Sequence, residues 1–205
     1  MADLLGQIER FLNEDSALPP LVRAGLAHVQ FETIHPYLDG NGRVGRLLII
    51  LCLEDWGLLN APLLYLSLFF KRHRQEYYDR LGAVRTHGDW EGWLAYFLEG
   101  VAFIANESVG MIASLFEILD RDRIRYLQST DATVTGARLF EKLAQHPIVT
   151  TKSVVGLCQT TKPTATKAIV SLCNAGILTE TSGRSRDRTY AYREYMELLR
   201  EGTEV

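Results

Sequence analysis

Residues 35–46 read HPYLDGNGRVGR and interrupt two apolar runs. They place one imidazole, one carboxylate, three glycines, an asparagine and two arginines within twelve positions. Upstream, Leu21, Val22, Gly25, Leu26, Val29 and Phe31 recur at helical spacing. Downstream, Leu47 to Leu53 is almost wholly apolar, too short to span a membrane and long enough for a buried helix. The stretch is therefore a polar joint between two packed helices, and the rest of the fold has to accommodate it.

The residue types in that joint suit an anion site with a base beside it. Pro36 disfavours helical backbone at His35, so the first helix ends there with an imidazole at its tip. Gly40, Asn41 and Gly42 tolerate the positive backbone angles of a tight anion-cradling turn. Arg43 is expected to open the next helix, whose first amides favour a phosphate. Arg43 and Arg46 are three apart on one helix face and match phosphate oxygens in bidentate fashion. Asp39 is a hard oxygen ligand where a phosphate-bound magnesium would sit. Taken singly, each part has an ordinary reading: a capping histidine, a turn, a solvated basic face. Their conjunction is the parts list for phosphoryl or nucleotidyl transfer.

The stretch resembles the signature of the Fic (filamentation induced by cAMP) family, His-Pro-Phe-x-Asp/Glu-Gly-Asn-Gly-Arg-x-x-Arg, with Tyr37 in place of Phe. The likeness continues through PPLVRAGLAHVQFETI before it and through LLYLSLFFKRHRQEYYDRL and GDWEGWLAYFLEGV after it. It implies a mainly α fold: a Fic-type helical bundle over residues 1–128, followed by a small winged helix–turn–helix domain with a short β-hairpin over 129–205. It also implies transfer of AMP from ATP to a Ser, Thr or Tyr hydroxyl of a target protein, with Mg2+ as cofactor. His35 would then be the base and Asp39 the metal ligand. Gly40, Asn41 and Gly42 would hold the α-phosphate, and Arg43 and Arg46 the outer phosphates. For Tyr77 and Tyr78 the residues themselves read as amphipathic packing, and the resemblance adds a place in the adenine pocket. Fic proteins of this kind usually carry a longer N-terminal region with a β-hairpin flap and an inhibitory Ser/Thr-x-x-x-Glu-Gly/Asn helix. Here about twenty residues precede the core helix, and the Glu-Gly pairs at Glu91, Glu99 and Glu201 lack a Ser or Thr four positions earlier. No self-inhibition through Arg46 is expected, and target docking is the function least supported. The alternative is a DNA- or protein-binding regulator whose core binds nucleotide without modifying a target.

Charge separates the two halves. The whole chain has a formal net charge of −3, so no global attraction to nucleic acid follows. Residues 1–130 carry 12 basic and 17 acidic side chains, whereas 131–205 carry 10 and 8, which suggests two modules with different partners. Cys52, Cys158 and Cys173 form no C-x-x-C pair and read as free thiols, and the start MADLLGQIERF has no signal-peptide pattern. A cytoplasmic protein with no membrane partner is expected, and a homodimer is compatible with that.

Along the chain, Leu4, Leu5, Ile8, Phe11 and Leu12 mark a first helix. Gly57 ends the helix after the motif, with a linker containing Pro62 beyond it. Residues 63–80 read as one helix, and Asp89 as the cap of a long one running to about Gln128, broken near Gly110. Trp90 and Trp93 read as core and DRDRIR as a solvated face. Three short helices follow, at 137–144, 153–159 and 164–174, then two strands, ILTET and TYAYR, around SGRSRDR. The third helix would read DNA through Thr164 and Lys167 in a major groove, with Arg184, Arg186 and Arg188 on phosphate. Protein docking is the other use of such a module.

Overall fold

In a computed structural model, which describes residues 2–60 and 64–201, the chain is mainly helical. It divides into two compact units, Met1–Glu107 and Ser108–Glu204. The expected boundary at 128/129 lies some twenty residues further on. The reason is that the late part of the long helix packs Leu115, Ile118, Leu119 and Tyr126 into the second core.

The first unit contains α1 (Ala2–Asn13), α2 (Pro20–Ile34), α3 (Asn41–Asp55), α4 (Leu66–Arg72), α5 (Arg74–His87) and the start of α6 (Trp90–Leu127). α2 and α3 lie along one another, and their inner faces meet Phe69, Phe70, Trp93 and Phe97. Trp93 is fully buried and its indole N–H donates to the Gly25 carbonyl at 2.8 Å, tying α6 to α2. Asp89 caps α6 as expected, accepting from the Gly92 amide at 3.0 Å.

Several expectations are corrected. Residues 64–80 are not one helix. The backbone leaves the helical region at His73 (φ −109°, ψ 39°), where the Tyr96 hydroxyl donates to its carbonyl at 3.4 Å. Pro62 lies outside the described residues. α6 runs through Gly110 unbroken, because one interior glycine costs only about 1 kcal/mol. Trp90, at the first turn of α6, is 41% exposed, so of the two tryptophans only Trp93 is core. α6 is also long and apolar enough to cross a membrane, by length and composition only. Scattered glutamates conceal that in a search for uninterrupted apolar runs.

The second unit holds the end of α6, α7 (Val134–Leu143), β1 (Ile148–Thr150), α8 (Thr151–Cys158), α9 (Lys162–Asn174), β2 (Thr179–Glu180), β3 (Thr189–Ala191) and α10 (Arg193–Glu201). The strands form an antiparallel sheet in the order β1-β3-β2, with Val149 opposite Tyr190 and Glu180 opposite Tyr190. β1 and α10 are not among the elements that the sequence predicts. DRDRIR is not simply a solvated face: Asp122 is fully buried and accepts hydrogen bonds from Arg121, Arg125 and the Tyr192 hydroxyl at 2.7–2.8 Å.

Candidate active site

α2 closes on His35, whose backbone is left-handed (φ 49°) and whose N–H donates to the Phe31 carbonyl at 3.0 Å. The following proline makes the helical alternative unfavourable, so the imidazole stands at the helix tip with 59% of its side chain exposed. Gly40 (φ 85°) then starts α3 at Asn41, two residues before Arg43. A Cβ-bearing residue would be strained at that angle. Val44 is the first amide to reach a helix carbonyl, that of Gly40 at 3.0 Å. The amides of Asn41, Gly42 and Arg43 therefore lack an intrahelical acceptor and form an anion-favouring helix start.

The side chain of Asn41 has a different task from phosphate binding. It is buried, accepts from the Tyr37 amide at 2.8 Å and donates to the Tyr37 carbonyl at 2.6 Å. It staples the loop, leaving only its backbone for an anion. Asp39 accepts from the Gly40 amide at 2.7 Å and from Arg43 at 3.3 Å, and both side chains are largely exposed. Such an exposed pair is worth little and yields easily to a ligand. Arg46 donates from Nε to the Ser67 hydroxyl at 3.0 Å, which orients its guanidinium from α4.

Behind the motif lies a buried polar group that sequence reasoning missed. Glu32 is only 5% exposed, yet its Oε2 lies 3.9 Å from His35 Nδ1. Its Oε1 has no hydrogen-bond partner among the described residues. Burial raises its carboxyl above the usual range, opposed by the charges of His35, Arg46 and Arg85. It fits only because position 45 is glycine: a Cβ there would stand 2.6 Å from Glu32 Oε1 and 3.1 Å from His28. Arg85, on α5, donates to the Glu32 backbone carbonyl at 2.6 Å. It supplies the positive charge that the last turn of α2 lacks. Glu32 could have been suspected from its place one turn before His35. Arg85 and Ser67 carry no such local signal.

His28 completes the layer. It is fully buried among Phe70 and Trp93, and its Nε2 meets the Tyr77 hydroxyl at 2.9 Å. Burial, reinforced by the Arg46 charge, pushes it down to about 4. The expected tyrosine pair thus splits. Tyr77 is a core residue stacked on Phe70, whereas Tyr78 is 54% exposed, with Arg74 over its ring at 5.7 Å. Of the two rings only that of Tyr78 is exposed.

In the second unit Thr164 and Lys167 are exposed on α9, and Arg184, Arg186 and Arg188 are exposed between β2 and β3. Arg188 donates to the Arg184 carbonyl at 2.9 Å, which folds that loop on itself. No group of three or more His, Cys, Asp or Glu that could hold a metal occurs among the described residues.

Residues 1–53 match the Fic/DOC family. The "probable protein adenylyltransferase" of Aquifex aeolicus is 34% identical over 79 residues, 38% of this chain and 22% of that one. Protein adenylyltransferase Fic of Drosophila melanogaster is 47% identical over 51 residues, 24% of this chain and 10% of that one. The Aedes aegypti protein of the same name is 38% identical over 88 residues, covering 42% and 16%. The chain spans at most 22% of the length of these relatives. A Fic family protein from Desulfovibrio desulfuricans G20 shares the fold, with TM-score 0.54 and 22% identity over 93% of this chain and 54% of that one.

Proposed function

We propose, from the match of residues 1–53 to the Fic/DOC family, that the first unit transfers AMP from ATP to a Ser, Thr or Tyr hydroxyl of a target protein. The observation that carries this reading is the joint itself. An exposed imidazole ends α2, and three amides with no helix carbonyl begin α3 six residues later. The names of the matched relatives support the same chemistry.

In this mechanism the target hydroxyl oxygen bonds to the α-phosphorus while His35 takes its proton. The bond from that phosphorus to the bridging oxygen breaks, and pyrophosphate leaves. The amides of Asn41, Gly42 and Arg43 hold the α-phosphoryl oxygens, where charge gathers during in-line attack. Arg43 and Arg46 receive the pyrophosphate through charge-assisted hydrogen bonds. Tyr78 offers the adenine a ring face. Asp39 fits a magnesium ion bound mainly through substrate phosphates, since it is an exposed carboxylate beside an anion-favouring helix start. Bound there, that ion would neutralise triphosphate charge. Three free cysteines, two of them buried, fit a reducing cytoplasm as the setting.

The test is incubation of the protein with magnesium and ATP labelled on the α- or the γ-phosphate, with cell extract as the source of targets. Label that reaches protein from the α-phosphate and depends on the added chain supports the reading. Absence of that label overturns it.

The exposed Arg184, Arg186 and Arg188 favour a second reading for the other unit, a winged helix–turn–helix that binds DNA. Full-length protein should then bind duplex DNA with steep salt dependence. Replacing the three arginines with Ala should weaken binding on all sequences and lower the salt slope by about 3. No binding at low salt favours protein docking instead.

A further inference from the structure

Glu32 is a costly residue to keep where it is. An unpaired buried polar atom costs about 1–3 kcal/mol, more when charged. Here Oε1 is unpaired, and the neighbouring helix has to present a glycine at position 45 to make room. The backbone of Glu32 is pinned by Arg85. The groups that face it are Arg46 on α3, Arg85 and Tyr77 on α5, His28 on α2 and His35 at the end of α2. Such an arrangement makes little sense as packing. It makes sense if the carboxylate serves the exposed ring one turn away.

We infer that Glu32 is the positioning residue of His35: its Oε2 accepts the Nδ1 proton of the imidazole, which leaves Nε2 as the atom that takes the target hydroxyl proton. The separation of 3.9 Å exceeds a hydrogen bond by about 1 Å. Catalytic hydrogen bonds often tighten when a site fills, and an exposed ring at a helix tip needs only a small turn to close that gap. The two nitrogens of a neutral imidazole are distinguished by the hydrogen bond one of them makes, so the carboxylate selects the tautomer as well as the orientation. The charges of His35, Arg46 and Arg85 oppose the burial that raises the Glu32 carboxyl, without cancelling it. The same stroke gives Gly45 its role: it lets α3 pass close enough for Glu32 to stay between the helices.

The inference rests on the transferase reading, but its decisive test needs no transfer. Two-bond nitrogen–proton correlation spectra of the full chain, at about pH 8.5 where an ordinary imidazole is neutral, report which ring nitrogen carries the proton. His35→Ala identifies the signals. Wild type should show His35 protonated on Nδ1, and Glu32→Leu and Glu32→Met should move the proton to Nε2. Both variants should keep the melting temperature or raise it, because an unpaired buried carboxylate is replaced by apolar volume. Where transfer is measurable, both should lower kcat by about 100-fold, the cost of a misplaced catalytic group, with ATP affinity changed by less than about threefold. A wild-type ring already protonated on Nε2, or a tautomer the variants leave unmoved, overturns the inference even if AMP transfer is confirmed. A wild type that transfers nothing leaves the tautomer result standing and sinks only the transferase reading.

Discussion

One buried carboxylate in each unit is handled in the opposite way. In the second, Asp122 is fully buried and accepts from Arg121, Arg125 and Tyr192, and Ser171 shares its hydroxyl with Tyr126 at 2.8 Å. In the first, Glu32 is buried with one oxygen unpaired, close to an exposed His35. A completed network fastens elements together, here α6 to the segment after β3. An incomplete one lowers stability and persists where something other than stability keeps it. The contrast separates a carboxylate whose partners hold the fold from one that the proposed chemistry would explain.

The comparison can be broken most sharply at His35. His35→Ala should lower AMP transfer by about 10²–10⁴-fold, the range for loss of a positioned base. Thermal stability and ATP affinity should stay near wild type, because helix-start amides supply binding in the ground state. Binding by titration calorimetry and transfer by α-label check both halves. Activity near wild type would remove the base from the site.

Asp122→Ala should do the reverse. Removing one partner of a buried charged network typically costs about 3–5 kcal/mol. Urea unfolding should shift by that amount, with hydrogen-exchange protection lost in the second unit while ATP binding is retained. A loss under about 1 kcal/mol would mean that the network contributes little to holding α6.

Arg46→Ala tests whether the motif is free of an internal inhibitor. Among the described residues no carboxylate lies within ion-pair distance of Arg46, and its recorded partner is Ser67. The variant should therefore lose transfer by about 10²-fold, as when one donor to developing charge is removed. A gain in transfer would reveal a restraint acting through that arginine.

The remaining effect is set by pH. The folded state holds His28 neutral down to about 4, whereas the unfolded chain takes up a proton near the ordinary 6.5. As pH falls through that window the unfolded state binds more protons, so stability present above 6.5 is lost down to about 4. The loss from His28 alone is about 3 kcal/mol by linkage. Glu32, raised by burial, acts in the opposite sense over the acid part of the range. His28→Gln should flatten the dependence of urea midpoint on pH. Parallel curves for the two proteins would mean that folded His28 accepts a proton after all.

What the sequence determined by itself was local. Pro36 ended α2 at His35 and Asp89 capped α6, because backbone sterics and capping act within a few residues, whereas α3 starts at Asn41, two residues before the expected Arg43. The motif was legible for the same reason: its chemistry lies within twelve consecutive positions. Tertiary structure decided everything that depends on burial or on partners distant in sequence. It sent Tyr77 into the core and left Tyr78 outside, although both stand on one helix. It turned Asp122 inward from a run that reads as solvated, since Tyr192 lies seventy positions away. It brought Arg85 to the end of α2 and Ser67 to Arg46 across separations of 53 and 21 residues. Helical periodicity says which residues share a face. Which of those faces loses its water, and which charge then meets it there, is settled only when the helices pack.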